Sequence, residues 1–145
     1  MADESNELRV RLVTPERTLY DHAAEAVELP AKNGYMEVLY GHAPLVAELG
    51  AGDVTIHGGG EGGELLRYNV SWGFAEVLPN RVTILASDAL KPEEIDKPRA
   101  EQQLDKGLKL WKDAGDSEEA YDQALRVISE AEAKLSSVGG AGKAH

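Results

Sequence analysis

The chain has 145 residues, no cysteine and a formal net charge of −11. This length fits one compact domain, or a small domain with an appendage. The lack of cysteine excludes disulfides, thiolate metal sites and thiol nucleophiles, and the acidic charge argues against a surface for nucleic acid or anionic lipid. Residues 1–7 do not resemble a signal peptide and no apolar run approaches ~18 residues, so we expect no direct membrane insertion.

Short runs with β-strand character recur over residues 1–90. The segment LRVRLV (8–13) alternates apolar and basic residues, as a strand with one buried face does. Similar runs follow at 25–29, 36–39, 53–57, 64–70, 73–78 and 81–86. A flexible hairpin tip is predicted at 58–63, and a tight turn at 78–81 because Pro79 fixes its φ and Asn80 tolerates a left-handed conformation. This spacing predicts an antiparallel β-sandwich or flattened barrel.

The apolar period becomes helical after residue 90. Asp96 is predicted to cap a first helix with Pro98 in its opening turn. After the break at 113–119, Asp116 is expected to cap a second helix, with Glu119 three residues later. The predicted apolar stripes comprise Ala100, Leu104, Leu108 and Trp111 on the first helix, and Tyr121, Ala124, Leu125, Ile128, Ala131 and Leu135 on the second.

Two such helices predict an antiparallel hairpin over residues 91–137, followed by a flexible tail at 138–145. The stripes are narrow, and Gly107 weakens the first helix by ~1 kcal/mol relative to alanine. The hairpin is therefore expected to depend on docking, either to the sandwich or to a partner, and to be able to move. The predicted fold class is α+β, with a strand unit and a helix unit kept apart.

The residues give no positive case for an enzyme. The four histidines, at 22, 42, 57 and 145, lack metal-ligand spacing, and the chain has neither a nucleophile elbow nor a phosphate-binding loop. A free-standing sandwich enzyme, a sugar-binding module with a helical appendage and a soluble nucleotide sensor stay open at this point. Turnover by the isolated chain would favour an enzyme, and a stable complex with a partner coiled coil would favour a binding role.

Three separated segments resemble the epsilon subunit of bacterial F-type ATP synthase. In that family the first segment commonly reads Gly-Glu-x-Gly-Ile-Leu-Pro-Gly-His-Ala-Pro-Leu. The stretch GYMEVLYGHAPLV (34–46) matches it at Gly34, Val38, Leu39, Gly41, His42, Ala43, Pro44 and Leu45, and departs from it at Tyr35, Glu37 and Tyr40. The stretches VTPERTLYD (13–21) and WGFAEVLPNRVTILASDA (72–89) are similar to two further family segments, with Trp72 in place of one glycine. The resemblance covers residues 7–136.

The resemblance implies a non-catalytic rotor part of the central stalk, with no required cofactor. The sandwich would bind the gamma subunit and sit on the c-ring, peripheral to the cytoplasmic side of a bacterial inner membrane, and an extended hairpin would reach the catalytic alpha/beta head. The implied contact residues for gamma or the c-ring are Tyr35, Tyr40, Gly41, His42, Ala43 and Pro44. The alternative is that Gly41 to Pro44 form only a tight turn.

Some members of this family bind ATP through an Ile/Leu-Asp-x-x-Arg-Ala motif that holds the hairpin folded. The stretch IDKPRA (95–100) matches at Ile95, Asp96, Arg99 and Ala100, and Arg126 and Lys134 are the basic candidates on the second helix. Guanidinium groups suit phosphate oxygens. The alternative is an ordinary helix start, and Glu130 stands about where the ATP-binding members have a basic residue.

The second helix predicts weak or modest inhibition of ATP hydrolysis. The resemblance implies that an extended hairpin sets basic residues against the acidic catalytic head, whereas residues 117–136 hold two basic and five acidic residues. Deleting residues 91–145 is therefore expected to raise ATP hydrolysis by the assembled complex only modestly. A many-fold rise in the hydrolysis rate would contradict this prediction.

Overall fold

The computed structural model describes residues 7–59 and 63–139. The chain divides into two compact units, Met1–Ala89 and Leu90–His145. The first unit is built from strands and the second from helices, so the predicted α+β class is confirmed.

Seven strands form one mixed sheet in the first unit. They are β1 (Leu8–Val13), β2 (Thr18–Ala24), β3 (Ala26–Ala31), β4 (Gly34–Leu39), β5 (Leu45–Gly59), β6 (Glu64–Leu78) and β7 (Arg81–Leu90). Their order across the sheet is β2-β1-β7-β6-β5-β3-β4, and the sheet does not close into a barrel. The strands β2 and β4 are consequently its two edges.

The alternation in β1 sets the pattern for the core of this unit. Leu8, Val10 and Leu12 are fully buried, while Arg9 and Arg11 face solvent and both approach the carboxylate of Asp21 on β2. Inward residues of the other strands complete the core, among them Leu29, Val38, Ile56, Val70 and Ile84. Each such aliphatic side chain stabilises the fold by roughly 1.5–3 kcal/mol.

Several strand boundaries differ from the prediction. The strand β2 was not predicted, because its burial does not alternate strictly along the chain. The predicted strand at 53–57 is only part of β5, and the predicted strands at 64–70 and 73–78 are one strand, β6. The turn at 78–81 is confirmed, and the predicted tip at 58–63 begins inside β5 and runs into residues 60–62, which lie outside the described ranges.

The second unit contains α1 (Lys97–Lys112) and α2 (Glu118–Gly139), preceded by a short 3-10 helix (Pro92–Glu94). The prediction that Asp96 caps α1 is confirmed, since its carboxylate accepts a hydrogen bond from the Arg99 N–H at 3.1 Å. The prediction for α2 was wrong by one residue. Ser117 precedes the helix, and its hydroxyl accepts from the Ala120 N–H at 3.1 Å, so Asp116 lies outside the capping position. The helix α2 also includes positions 138 and 139 of the predicted tail, and residues 140–145 fall outside the described part of the chain.

Small residues, and not the large ones of the predicted stripes, are buried on the two helices. Ala100, Gly107, Ala124 and Ala131 are buried. The large members of the predicted stripes are half-buried at Leu104, Ile128 and Leu135, and are 40–44 % exposed at Leu108, Trp111, Tyr121 and Leu125. A Cβ at Gly107 would lie 2.8 Å from Cγ1 of Ile128. The helices therefore pack closely at Gly107, and this contact fixes which side of each stripe is buried.

Candidate functional site

The residues Tyr40–Pro44, which we call the corner, connect β4 to β5. Gly41 has a φ of +90°, a conformation that favours glycine. Its N–H donates to the Pro79 carbonyl at 2.6 Å, and the His42 N–H donates to the Leu39 carbonyl at 3.1 Å. The first of these bonds ties the corner to the turn between β6 and β7, so the corner is a fixed part of that end of the sheet.

The corner presents its side chains to solvent. Tyr40 is 46 % exposed, Ala43 and Pro44 are exposed, and His42 is half-buried. One ring nitrogen of His42, Nδ1, lies 2.8 Å from the Ala43 carbonyl, to which it donates in the tautomer that carries a proton there. This arrangement offers a rigid surface of aromatic, small and imidazole groups, and such groups suit contact with another protein.

Tyr35 lies away from the other predicted contact residues. It stands near the start of β4, and the corner follows the end of that strand, so the two are about 17 Å apart along the chain at ~3.3 Å per residue. The Tyr35 hydroxyl accepts a hydrogen bond from the Asp53 N–H at 3.0 Å. The structure thus separates the six predicted contact residues into the corner and Tyr35.

A polar cluster that the sequence did not predict holds the backbone beneath Tyr35. Asn69 is buried and donates to Oδ1 of Asp53 at 3.2 Å, and Nε of Arg67 lies 3.7 Å from Oδ2 of the same carboxylate. Gly52 is needed beside it, because a Cβ there would meet the Tyr35 hydroxyl and would lie 2.8 Å from Cβ of Pro30. The Gly-Asp pair that opens the predicted run at 53–57 was the only sequence signal for this cluster.

The phenol of Tyr35 is expected to titrate above its usual pKa of 10.0. Burial of the hydroxyl raises the pKa although the whole residue is 63 % exposed, the Asp53 amide bond acts against this, and the Asp53 and Glu28 carboxylates add to the rise. This group's contribution to stability is therefore complete below pH 10.0 and is lost as the pH rises through the folded-state pKa. An NMR titration of the tyrosine rings measures it.

Two glycine variants test whether the position of the hydroxyl above Gly52 raises the pKa of Tyr35. Gly52→Ala should push the hydroxyl away and return the Tyr35 pKa towards 10.0. Gly50→Ala is the matched control, because its new Cβ would have no neighbour nearer than 3.8 Å. An unchanged titration of Tyr35 in Gly52→Ala would show that the hydroxyl is not held above Gly52.

The structure brings together only part of the predicted nucleotide site. At the cap of α1, Oδ1 of Asp96 accepts from the Arg99 backbone N–H, a bond that does not involve the Arg99 guanidinium, and Ala100 is buried. Ile95 ends the short 3-10 helix and is half-buried. On α2, Arg126 precedes Lys134 by eight residues, or about 12 Å of helix.

A carboxylate also stands between the two basic residues of α2. Nε2 of Gln103 on α1 donates to Oε1 of Glu130 at 2.9 Å, which places the end of α2 opposite the start of α1. Lys134 consequently lies on the Asp96 side of Glu130, and Arg126 on the far side. Lys134 is therefore the basic residue of α2 on the same side of Glu130 as the predicted residues of α1.

No helix within residues 7–59 and 63–139 is long and apolar enough to cross a membrane. In the same ranges, no group of three or more histidine, aspartate or glutamate side chains could hold a metal ion.

The family model for the β-sandwich domain of the ATP synthase delta/epsilon chain matches residues 7–92, more than half of the sequence. The chain belongs to this ATP synthase delta/epsilon family. The resemblance predicted from the three segments is confirmed, and with it the fold class. A delta/epsilon chain is a non-catalytic subunit, so the prediction that the chain is not itself an enzyme is confirmed as well.

Curated relatives of this delta/epsilon chain are ATP synthase epsilon chains. One from Koribacter versatilis is 47 % identical over 91 residues, covering 63 % of this chain and 62 % of the relative. One from a Synechococcus species is 39 % identical over 118 residues, covering 81 % and 84 %. One from a Cyanothece species is 36 % identical over 135 residues, covering 92 % and 96 %. The similarity to the last two includes the helical unit of the delta/epsilon chain.

Solved structures similar to the delta/epsilon chain come from mitochondrial ATP synthases. A chain in the Euglena gracilis structure of OSCP, F1 and c-ring superposes with a TM-score of 0.73 at 25 % identity, covering 88 % of this chain and 78 % of that one. A chain in the Tetrahymena thermophila central stalk and c-ring superposes with a TM-score of 0.67 at 14 % identity, covering 90 % and 96 %. The second comparison shows the fold alone.

Proposed function

We propose that this chain is the epsilon subunit of a bacterial F-type ATP synthase, part of the central stalk at the c-ring. The observation that carries the proposal is its agreement with a Cyanothece epsilon chain over 96 % of that chain. The Euglena gracilis structure, which contains OSCP, F1 and the c-ring, supports the same place in the complex. The subunit passes rotation of the c-ring to the central stalk and to the catalytic head, and lies peripheral to the cytoplasmic side of the inner membrane.

The corner and Tyr35 are proposed as contact surfaces for the gamma subunit and the c-ring. The corner is exposed and rigid, because Gly41 is bonded to Pro79 and the His42 N–H to Leu39. A preformed loop loses little conformational freedom when it docks, and less of the interaction energy is then spent on ordering it. Tyrosines at positions 35 and 40 supply large contact area with few rotatable bonds.

A charge placed in the corner is expected to loosen the subunit from the ATP synthase. Ala43→Glu would bury a carboxylate in the contact, and we expect at least about tenfold weaker binding, or roughly 1.4 kcal/mol. Thr18→Glu is the matched control, since it adds the same side chain at an exposed position on β2. The tagged chain is isolated from native membranes, and the amounts of gamma subunit and catalytic head that accompany it are measured. Equal recovery with both variants would refute the corner as a contact.

The hairpin is proposed as a regulatory element that changes position. Its support is an apolar surface on the helical unit, where the rings of Trp111 and Tyr121 lie 6.0 Å apart and both are at least 40 % exposed. A contact with the catalytic head would cover such side chains. The acidic balance of α2 keeps the expected inhibition modest, and the truncation of residues 91–145 measures it.

ATP binding by the hairpin stays a prediction. Its support is the match of Ile95, Asp96, Arg99 and Ala100 to the family motif, with Arg126 and Lys134 on α2. Against it stand the helix-capping role of Asp96, whose Oδ1 accepts from the Arg99 N–H, and the negative charge of Glu130. Titration calorimetry of the full chain with ATP, repeated with Arg99→Ala, measures the affinity directly, and absence of binding would remove this function.

A further inference from the structure

One stretch of β5 has a strand neighbour on one side only. Leu45, Val46 and Ala47 pair with Val77, Glu76 and Ala75 of β6. On the opposite side the last bond is that of the Lys32 N–H, just after β3, to the Glu48 carbonyl at 2.8 Å. Within the part of the chain that the structure describes, no strand lies beyond this point. We call residues 45–47 the open edge.

The open edge faces a cleft of the size of a binding pocket. A cleft of about 420 Å³ separates it from the turn between β3 and β4, and its walls are residues 31–36 on one side and 46–48 on the other. This volume lies within the usual range of binding pockets. In an antiparallel strand, alternate residues direct their N–H and C=O groups away from the paired neighbour. Since the Glu48 carbonyl faces Lys32, alternation leaves Val46 as the residue of the open edge whose N–H and C=O point away from β6, where a further strand could pair.

Protection against strand addition is weak along the open edge. Native sheets usually guard an edge with lysine, proline, a bulge or a covering segment. Residues 45–47 carry none of these, although Pro44 limits the length of the open edge at one end. Val46 is 70 % exposed, and Leu45 is 36 % exposed. Such a stretch is suited to pairing with an extended segment of another protein.

The charges beside the open edge indicate what that segment carries. Glu76 is opposite Val46 and therefore on the same face, and Glu48 lies two residues further along that face. Glu48 is paired with Lys32 at 3.4 Å across exposed side chains, a weak interaction. Glu76 has no ion-pair partner among residues 7–59 and 63–139. Acidic residues therefore predominate here, and a second acidic copy of this chain would be repelled.

We propose that the open edge of β5 accepts an extended strand from a neighbouring subunit of the ATP synthase, one with an apolar side chain against Val46 and a basic residue near Glu76. The inference rests on the proposed function, because it takes the partner from the same complex. It adds a mode of contact to that proposal, since main-chain hydrogen bonds along β5 would join the sheets of two subunits.

Hydrogen exchange compares the free full-length chain with the chain in the purified ATP synthase. The Val46 amide, which points away from β6, should exchange at least about tenfold more slowly in the complex. The other sheet edge, β2, is the internal control and should exchange at the same rate in both. If the chain is present in the complex and the Val46 amide stays unprotected, the strand-addition inference is overturned while the proposed function stands. A chain that does not accompany the ATP synthase contradicts both.

A pair of charge variants supplies the second measurement. Glu76→Lys should weaken the complex about tenfold or more, and Glu64→Lys, an exposed position at the start of the same strand, should leave it unchanged. Equal binding by both variants overturns the requirement for a basic partner segment. Protection of the open edge that appears in the free chain as its concentration rises would point to a second copy as the occupant and would overturn the proposal.

Discussion

Replacing Gly73 by alanine is expected to lower the free energy of unfolding of the strand unit by about 4 kcal/mol. Gly73 has a φ of +136°, which side chains rarely adopt. A Cβ there would also run into the Leu85 carbonyl oxygen and lie 3.0 Å from Cα of Ala86. Both obstacles are backbone atoms of the neighbouring strand β7, so neither can turn aside as a flexible side chain would. Urea denaturation of the variant and the natural chain measures the difference.

Gly34→Ala separates the two causes of this loss. Gly34 has nearly the same φ, +133°, but a Cβ there would have no neighbour within 4 Å. Backbone strain alone is expected to cost it about 1–2 kcal/mol. If the two variants lose equal stability, the close approach of β6 to β7 is not what requires glycine at position 73.

The neighbouring residue shows how this chain departs from its family pattern at the same place. Trp72 stands where the family commonly has a glycine, and it is the only residue other than glycine with positive φ, +56°, in the described ranges. A left-handed conformation at a bulky residue costs of order 1–3 kcal/mol. The two consecutive residues with positive φ, Trp72 and Gly73, lie within the continuous strand β6, at the point where the sequence prediction divided it into two strands.

The sequence predicted those elements whose signal is local. The strand β1 was predicted with its bounds because its alternation is complete, and Asp96 because a cap followed by proline in the first turn is a short-range pattern. The edge strand β2 and the first part of β5 were missed. The burial of β2 does not alternate strictly, and Gly50 and Gly52 interrupt the apolar pattern of β5, whose first part pairs with the distant end of β6.

The site could be predicted in composition but not in arrangement. The corner and Tyr35 are close in the sequence, yet the length of β4 lies between them. The Asp53 cluster beneath Tyr35 joins residues from β4, β5 and β6, so only the strand register brings it together. For the hairpin, the apolar period gave the stripes but could not rank their members, and the contact at Gly107 decided that small residues are buried.

Gly107→Leu is expected to separate α1 from α2. It should destabilise the hairpin by roughly 2 kcal/mol or more, since overpacking of a close contact typically costs about 1–3 kcal/mol. A Cβ at this position would lie 2.8 Å from Cγ1 of Ile128, 3.1 Å from Cγ1 of Val127 and 3.2 Å from the Ile128 amide nitrogen. A longer side chain cannot fit without moving the helix backbone. Thermal unfolding of the full chain, followed by far-ultraviolet circular dichroism, measures the loss, with Gln102→Leu at an exposed position of α1 as the control.

Alanine at the same position decides between packing and helix propensity. Gly107→Ala gains ~1 kcal/mol of intrinsic helix stability. Its Cβ presses on the ends of two side chains, which can turn, and on one backbone nitrogen, which cannot. Because these effects oppose each other, Gly107→Ala should unfold at about the same temperature as the natural chain, whereas Gly107→Leu should unfold at a lower temperature. If helix propensity determined the stability of the hairpin, both Gly107→Ala and Gly107→Leu would stabilise it. That result would show that the close packing at Gly107 does not require glycine there.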